Sequence, residues 1–175
     1  MNELQLRDAG EHDRDAVREV TLSAYQEYAP QMPVHWEGYR KSILATLADV
    51  KPAEQIVAER EGAIVGAILL YPVGTVFFSS NRPPVPIVSP EMRLLAVAPA
   101  ARGRGVGAAL VRECVRRARR GGASALTLHT SDVMRTAMRM YERIGFARAP
   151  ELDFHPAPDL IIKGYRLPFG DARSL

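Results

Sequence analysis

A glycine-rich, basic turn constrains the possible folds of this chain more than any other feature. The apolar run Leu94–Ala98 stops at Pro99 and is followed by a turn of glycines and arginines: Arg102, Gly103, Arg104, Gly105 and Gly107. Glycine lets the backbone turn tightly and approach a ligand closely. A helix that begins at such a turn directs its unpaired N–H groups and the positive end of its dipole at that ligand. The sequence therefore predicts a strand, an anion-binding turn and a helix, in that order.

Phosphate is the anion that helix N-termini most often bind, and arginine side chains match its oxygens. Three phosphate-binding patterns compete for this turn. A nucleoside-triphosphate loop is excluded because Gly-Lys followed by Ser or Thr occurs nowhere in the chain. The dinucleotide pattern Gly-x-Gly-x-x-Gly/Ala is met by Gly103, Gly105 and Ala108, with Asp132 further along the chain. This second pattern stays open, although the remaining chain offers few of the strand–helix units that its fold needs.

The third pattern, Arg-x-x-Gly-x-Gly after an apolar strand, is met by Arg102, Gly105 and Gly107. A strand-like run and a helix-like segment follow it, and the segment Ala137–Phe146 reads Ala-x-x-x-Tyr-Glu-x-x-Gly-Phe. In these two ordered motifs the sequence resembles the GNAT superfamily of N-acetyltransferases. The resemblance is strongest over residues 91–146 and extends more loosely over the whole chain.

The fold that this resemblance implies is a single α/β domain. Its sheet is mixed and mostly antiparallel, is flanked by helices, and is splayed at the central strands to hold acyl-CoA. The length of 175 residues and the hydrophobic fraction of 47% suit one such domain. We expect the domain to span residues 1–168 and a C-terminal tail to span residues 169–175.

The activity that the resemblance implies is direct transfer of an acetyl group from acetyl-CoA to a primary amine of a small molecule or a protein. The pantetheine arm is then expected to pair with Leu95, Ala96 and Val97, and the Val97 N–H to meet the developing oxyanion. The resemblance implies that the diphosphate binds to backbone N–H groups of the turn, in the following residues: Arg102, Gly103, Arg104, Gly105, Val106, Gly107 and Ala108.

Two side chains are the predicted catalytic residues. An ammonium ion cannot attack a thioester, so a base is required. Glu91 stands just before the central apolar strand, where some relatives place a glutamate for this task. Tyr141 matches the tyrosine that acts as the general acid toward the departing sulfur in many relatives. A polar strand-end glutamate and a packing tyrosine are the structural alternatives.

One residue departs from the family pattern. Relatives often carry an asparagine three residues before the alanine of the second motif, and this chain has Met134 there. We therefore expect the contacts between the second helix and the pantetheine arm to differ in detail.

The helix after the turn has a basic side and an apolar side. Although the formal net charge is only +3, arginines concentrate between residues 102 and 120. The basic side carries Arg112, Arg116, Arg119 and Arg120, and it has three interpretations: a solvated helix face, attraction of the CoA phosphates, or nucleic-acid binding. Cys114 falls on the apolar side, which predicts a core residue rather than a nucleophile.

The remaining chain predicts strands and helices around this centre. Apolar spacing predicts helices over 13–28 and 36–48, the second with Trp36 and Ile43 on one face. Strands are predicted over 4–7, 55–59, 64–72, 92–98, 125–129, 146–148 and 160–167, and residues 150–159 are predicted to form a loop. The resemblance places the acceptor groove beside residues 28–39 and 152–159.

Partners and location follow from composition. The four histidines show no close paired spacing, so we predict no metal. The opening residues lack an apolar signal core and the apolar run Ala63–Val73 is too short to span a bilayer, so we expect a cytoplasmic protein without a membrane partner. Monomer and homodimer both stay open, and so does a second class of function, a catalytically silent CoA-binding sensor or interaction module.

Overall fold

The computed structural model describes residues 3–78 and 84–170. The described chain contains two compact units. The first unit comprises residues 3–70 and 94–113, and the second comprises residues 71–78, 84–93 and 114–170.

The sheet of the first unit contains strands that pair in sequence order. They are β1 (Gln5–Asp8), β2 (Glu54–Arg60), β3 (Ala63–Tyr71) and the second half of β4 (Glu91–Val97). β2 and β3 pair antiparallel through a two-residue turn, in which Glu61 and Gly62 both have positive φ values of 56° and 76°. Two such residues in succession are typical of the hairpin turn whose twist matches that of the strands. The strands predicted over residues 55–59 and 64–72 are confirmed, and they form this hairpin.

Neighbouring residues of β3 point to opposite faces of this sheet, and each face packs against helices. Ala67 packs with Val17 of α1 (Arg14–Tyr25), and Leu47 of α2 (Trp36–Ala48) lies against the same cluster. Gly66 faces α3 (Val106–Arg120) so closely that a Cβ there would lie 3.0 Å from side-chain atoms of Val106 and Leu110. Gly66 therefore lets the sheet approach the helix that follows the glycine-rich turn.

The helix predicted over residues 13–28 is shorter in the structure. α1 ends at Tyr25, and the chain continues as a 3-10 turn over Gln26–Gln31 that contains Pro30. Proline lacks an N–H donor and disfavours the α conformation of the residue before it, so an α-helix does not continue through Pro30. Nothing in the structure explains why α1 ends already at Tyr25. The helix predicted over residues 36–48 is confirmed with the same bounds.

An ion-pair cluster fixes the entry to α1. The Arg7 guanidinium donates to both carboxylate oxygens of Asp13, at 2.7 and 3.0 Å, and to Glu59 at 2.7 Å. The Gly10 N–H donates to Asp13 at 2.7 Å. Because its charged form is hydrogen-bonded in this way, chiefly by Arg7, Asp13 has a pKa lowered to about 2.

The second unit surrounds β5 (Ala125–Thr130). The strand order there is β4, β5, β8 (Leu160–Pro168) and β6 (Ala147–Arg148), and β7 (Phe154–Ala157) also pairs with β8. β4 and β5 are parallel and the other pairs are antiparallel. α4 (Arg135–Ile144) ends at Gly145, which caps it with a φ of +115°. The predicted mixed, mostly antiparallel sheet with flanking helices is confirmed.

The predicted loop over residues 150–159 is wrong in part. It contains a 3-10 turn, Pro150–Leu152, and then the edge strand β7. Pro156 removes a ladder donor, which made a strand improbable from the sequence, but an edge strand tolerates this loss. Arg148 holds the segment, because its guanidinium donates to the Asp153 carboxylate at 2.7 and 2.9 Å.

The end of the described chain is attached to the second unit. The Phe169 N–H donates to the Ser124 carbonyl at 2.8 Å, and the Arg119 guanidinium lies 4.8 Å from the Phe169 ring centroid. Residues 171–175 of the predicted tail lie outside the described residues. Among residues 3–78 and 84–170, no helix is both long enough and apolar enough to cross a membrane.

Candidate active site

The glycine-rich turn has the backbone conformation that only glycine adopts without strain. Gly103 and Gly105 have φ values of +71° and +77°. Apart from the chain neighbours, no atom of residues 3–78 and 84–170 lies within 4 Å of the position where a Cβ would stand at either residue. The conformation, not a neighbouring atom, requires glycine at both positions. The surface of the turn is therefore open to a ligand.

The first turn of α3 supplies backbone donors at the end of this turn. The Ala109 N–H donates to the Gly105 carbonyl at 2.9 Å and begins the helical bonding. The preceding N–H groups of Val106, Gly107 and Ala108 have no acceptor inside the helix, as in every helix N-terminus. With the positive end of the helix dipole beside them, these donors suit a diphosphate.

Arg102 contacts the end of α1. Its guanidinium forms an ion pair with Glu27 and donates to the Ala24 carbonyl at 3.1 Å. Arg102 and Arg104 are both exposed. Arg102 thus braces the turn against α1 although its side chain is 38% exposed.

Leu94 of β4 has the strained backbone of the region. Its φ of +51° lies in the left-handed range, which costs a non-glycine residue about 1–3 kcal/mol. The parallel ladder of β4 with β5 pairs Glu91 with Thr127 and Met92 with Leu128, and it stops before Leu94. The strained residue thus directly precedes Leu95–Val97, the residues predicted to pair with the pantetheine arm.

Glu91 is buried at the start of β4, with 1% of its surface exposed. Its Oε1 atom lies 3.3 Å from Nδ1 of His129 on β5, and the His129 side chain is 10% exposed. The ladder explains this contact: Glu91 pairs with Thr127, and His129, two residues further along β5, points to the same face. The predicted base is therefore not an isolated strand-end carboxylate.

Sequence reasoning did not identify His129 as a functional residue. The sequence does contain a weak signal, since Thr127 and His129 alternate with Leu126 and Leu128 along an otherwise apolar strand. That alternation marks one polar face of β5. It does not show that the start of β4 lies beside that face, because strand pairing is a property of the tertiary fold.

The other His129 ring nitrogen is held by the backbone. Nε2 donates to the Leu152 carbonyl at 2.8 Å. The ring also packs edge-on against Phe154, with centroids 5.2 Å apart. These contacts fix both the position and the orientation of the imidazole.

Tyr141 lies on α4 and is 7% exposed. Its ring meets that of Phe146 at 5.9 Å between centroids, and its carbonyl accepts the N–H of Gly145 at 3.1 Å. Met134 is the residue that precedes α4, and its N–H donates to the Ser131 carbonyl at 2.9 Å. The second motif therefore forms the helix that the sequence predicted.

Two buried hydroxyl groups follow His129 at the end of β5. Thr130 and Ser131 are each 4% exposed, and neither side-chain oxygen makes a hydrogen bond within the described part of the chain. Buried hydroxyls without partners are costly. An amide-containing ligand that reached this point would find two groups able to donate and accept hydrogen bonds.

Other residues considered from the sequence are also placed. Cys114 is fully buried, which confirms its prediction as a core residue. Arginines 112, 116, 119 and 120 are all exposed, as the solvated-face interpretation requires. Tyr28 lies in the region predicted to border the acceptor groove, and burial, together with Glu27, raises its pKa to about 12. Within residues 3–78 and 84–170, no group of three or more His, Cys, Asp or Glu side chains could hold a metal ion.

Comparison with known proteins agrees with the motifs. A sequence model of the acetyltransferase (GNAT) family matches residues 21–146, which is more than half of the chain. Mycothiol acetyltransferase of Nocardia farcinica is 30% identical over 173 residues, which cover 92% of this chain and 50% of that protein. Human N-acetyltransferase 8B is 32% identical over 99 residues, covering 57% of this chain and 40% of that protein. The chain spans half or less of the length of these curated relatives.

Solved structures share the fold at low sequence identity. A GNAT family acetyltransferase from Brucella melitensis in complex with acetyl-CoA superposes with a TM-score of 0.63 at 22% identity, covering 97% of this chain and 90% of that one. The PaiA N-acetyltransferase of Thermoplasma acidophilum in complex with coenzyme A gives a TM-score of 0.66 at 13% identity, covering 95% and 99%. Together with the two ordered motifs and the sheet described above, the family match shows that this chain belongs to the GNAT family of acetyltransferases.

Proposed function

We propose that this chain transfers an acetyl group from acetyl-CoA to a primary amine of a small molecule or a protein. The observation that carries the proposal is the turn over residues 102–108, where left-handed glycines open the surface in front of the unpaired donors of α3. A diphosphate group fits that donor set. The acetyl-CoA and coenzyme A complexes of the two structural neighbours support the same ligand class.

The residues that would hold acetyl-CoA are backbone groups. When bound, acetyl-CoA supplies the activated thioester. Leu95, Ala96 and Val97 would pair with its amide-containing arm, and the diphosphate would meet the N–H groups of residues 102–108. The Val97 N–H is the donor that we assign to the oxygen on which negative charge develops, and one such fixed donor contributes about 3 kcal/mol to catalysis.

Proton transfer is assigned to Glu91 and Tyr141. Amines have pKa values of about 8 to 10.4 and arrive largely protonated at neutral pH, so Glu91 would remove a proton before attack. A buried carboxylate suits this task because loss of hydration favours its protonated form. Tyr141 would donate its phenolic proton to the sulfur that leaves, since a phenol keeps its proton at neutral pH.

The test is an amine panel with a thiol readout. The chain is incubated with acetyl-CoA and small amines or amine-bearing peptides, and released thiol is measured. We expect amine-dependent release that is lost in Glu91→Gln. Tight CoA binding without release by any amine would establish the silent CoA-binding module instead. Steeply salt-dependent binding to DNA or RNA without CoA binding would establish a nucleic-acid binder.

Location and assembly remain sequence-based expectations within this proposal. We expect the enzyme to act in the cytoplasm, where acetyl-CoA is available to it, and to work as a monomer or a homodimer. Fractionation of cells that express the chain and sedimentation of the purified protein measure these two properties directly.

A further inference from the structure

The contacts of the His129 ring determine which of its two nitrogens carries a hydrogen. His129 Nε2 lies 2.8 Å from the Leu152 carbonyl, and a carbonyl oxygen only accepts hydrogen bonds. Nε2 therefore carries a hydrogen. In a neutral imidazole the other nitrogen is then an acceptor, so the hydrogen bond to the Leu152 carbonyl fixes the tautomer of the ring.

Nδ1 faces the carboxyl group of Glu91. It makes no formed hydrogen bond within the described residues, yet Glu91 Oε1 lies 3.3 Å away and both side chains are buried. Without a proton between them, the Nδ1 lone pair and a carboxylate oxygen would oppose each other in a site with little water. With one proton between them, either as carboxylic acid and imidazole or as carboxylate and imidazolium, the contact becomes a hydrogen bond. The contact therefore raises the affinity of the two side chains for one shared proton above that of an isolated carboxylate.

We propose that His129 is a positioning residue for Glu91 and that the two side chains take up the amine's proton as a pair. This inference rests on the proposed function, because it assigns a partner to the base of that reaction. Before the step, Glu91 is a carboxylate and His129 is neutral, so the pair has a charge of −1. The ammonium N–H bond breaks, its electron pair stays on the nitrogen that attacks, and the proton ends between Oε1 and Nδ1. The pair is then neutral.

His129 makes the carboxylate a stronger base than it would be alone. Proton uptake removes the repulsion between the Nδ1 lone pair and the carboxylate oxygen and creates a hydrogen bond. The protonated pair is thereby stabilised relative to the unprotonated one. A base is most effective when its proton affinity is matched to the working pH, and deprotonation of an amine calls for a stronger base than an ordinary carboxylate. The observed proton affinity belongs to the pair and not to either residue.

The charged groups on the elements around the pair have partners of two kinds, an aromatic ring or an opposite charge. Arg93 of β4 lies 4.6 Å from the Phe77 ring centroid. The charged groups on β5, β6, β8 and the 150–153 segment form ion pairs: Arg148 with Asp153, Lys163 with Asp132, and Arg166 with Glu151. Each of these pairs is close to electrically neutral. An aromatic ring does not neutralise Arg93, so this cation opposes proton uptake by Glu91 and His129, which must occur in spite of it.

The first test is the pH dependence of kcat in His129→Asn. The amide of asparagine can contact Glu91, but it cannot share a proton as imidazole does. We expect the acid limb of the profile to move to lower pH by about one unit or more, with a lower kcat on the plateau. His12→Asn is the matched control, because it makes the same change at an exposed histidine outside the site and should leave the limb in place. An unmoved limb in His129→Asn would overturn the proposal.

The second test does not depend on activity. Nitrogen-15 NMR of the His129 ring in the full chain reports which nitrogen carries a proton. We expect Nε2 to remain protonated, and Nδ1 to show a titration that shifts in Glu91→Gln. An identical Nδ1 titration in both proteins, or an unprotonated Nε2, would refute the shared proton while leaving the proposed function intact. A shared proton in a chain that releases no thiol with any amine would refute the proposed function alone.

Discussion

The glycine-rich turn and the Glu91–His129 pair differ both in the task proposed for them and in the chemical groups that they use. The turn works through its backbone: its donors are main-chain N–H groups, and its glycines are required by conformation. The pair works through buried side chains that two strands bring within 3.3 Å. Ligand binding at the turn should therefore respond to conformational substitutions and not to pH, whereas proton transfer at the pair should respond to pH and not to backbone conformation.

The largest expected effect is that of Glu91→Gln, which removes the proton acceptor but keeps the shape of the side chain. Loss of a general base costs about 10² to 10⁴ in rate, so kcat should fall by that factor while the Kd for CoA stays within about twofold. Stopped-flow thiol release and calorimetry measure the two quantities. Glu151→Gln, at an exposed carboxylate of the same unit, is the control and should keep wild-type kcat. An unimpaired Glu91→Gln enzyme would remove the pair from the mechanism.

Tyr141→Phe should have the next largest effect. Removing the phenolic proton should lower kcat by about tenfold or more and leave CoA affinity unchanged, because the hydroxyl is assigned to the leaving sulfur. The matched control is Tyr165→Phe, which removes a hydroxyl that donates to Glu142 at 3.2 Å from another buried tyrosine. That change should cost about 1 kcal/mol of stability and little rate. Equal kcat values for the two variants would reduce Tyr141 to a packing residue.

Loss of stability in acid must be distinguished from the pH response of the Glu91–His129 pair. A substitution of Asp13 changes the first and not the second. Its folded pKa of about 2 lies below the ordinary value of 3.8, so its stabilising contribution is complete above pH 4 and is lost as the pH falls toward 2. Asp13→Asn should lower the free energy of unfolding at neutral pH by about 2 kcal/mol and flatten its pH dependence in that window. Urea titrations from pH 2 to 7 measure both effects.

The control for this measurement is Asp49→Asn, at an exposed aspartate after α2. It should change the free energy of unfolding by about 0.5 kcal/mol or less. If Asp13→Asn also behaved like a surface substitution, the Arg7 cluster would contribute no stability to α1. The acid limb of kcat lies outside this window if the pair sets it.

The smallest expected effect is that of Gly105→Val at the turn. A non-glycine residue in the left-handed region costs about 1–2 kcal/mol, so the free turn relaxes out of that conformation. CoA binding, which must restore it, then becomes about five- to thirtyfold weaker. Gly62→Val imposes the same conformation on the β2–β3 hairpin, where a Cβ would meet nothing within 4 Å in the described part of the chain beyond its own neighbours. It should cost similar stability without weakening CoA binding. Equal CoA affinity in both variants would show that the turn does not bind the ligand.

The same contrast explains what the sequence could predict. The turn is local: glycines, arginines and the start of a helix lie within seven residues, so their spacing alone indicates the structure. The contact of Glu91 with His129 joins residues 38 positions apart (129 − 91), and it depends on which strands pair and in which register. Likewise, the Arg102 side chain meets Glu27, 75 positions away, and the sequence had assigned that arginine to phosphate.

Errors in the predicted elements have a similar origin. The edge strand β7 contains Pro156. Local propensity argues against a strand there, but pairing with β8 supports it. The first helix ends at Tyr25 and a 3-10 turn that contains Pro30 follows it, although apolar spacing continues to Tyr28. Periodicity predicted where helices lie but not where the first of them ends.

The most direct test of CoA recognition by the turn is an amide NMR titration of the chain with coenzyme A. We predict large, saturable shifts of the backbone N–H signals from Gly103 to Ala108, and smaller shifts at Leu95–Val97. Pantetheine, which lacks the diphosphate, should leave the first group nearly unmoved. Saturable CoA binding with unshifted signals from Gly103 to Ala108 would contradict the assignment of the turn to the diphosphate.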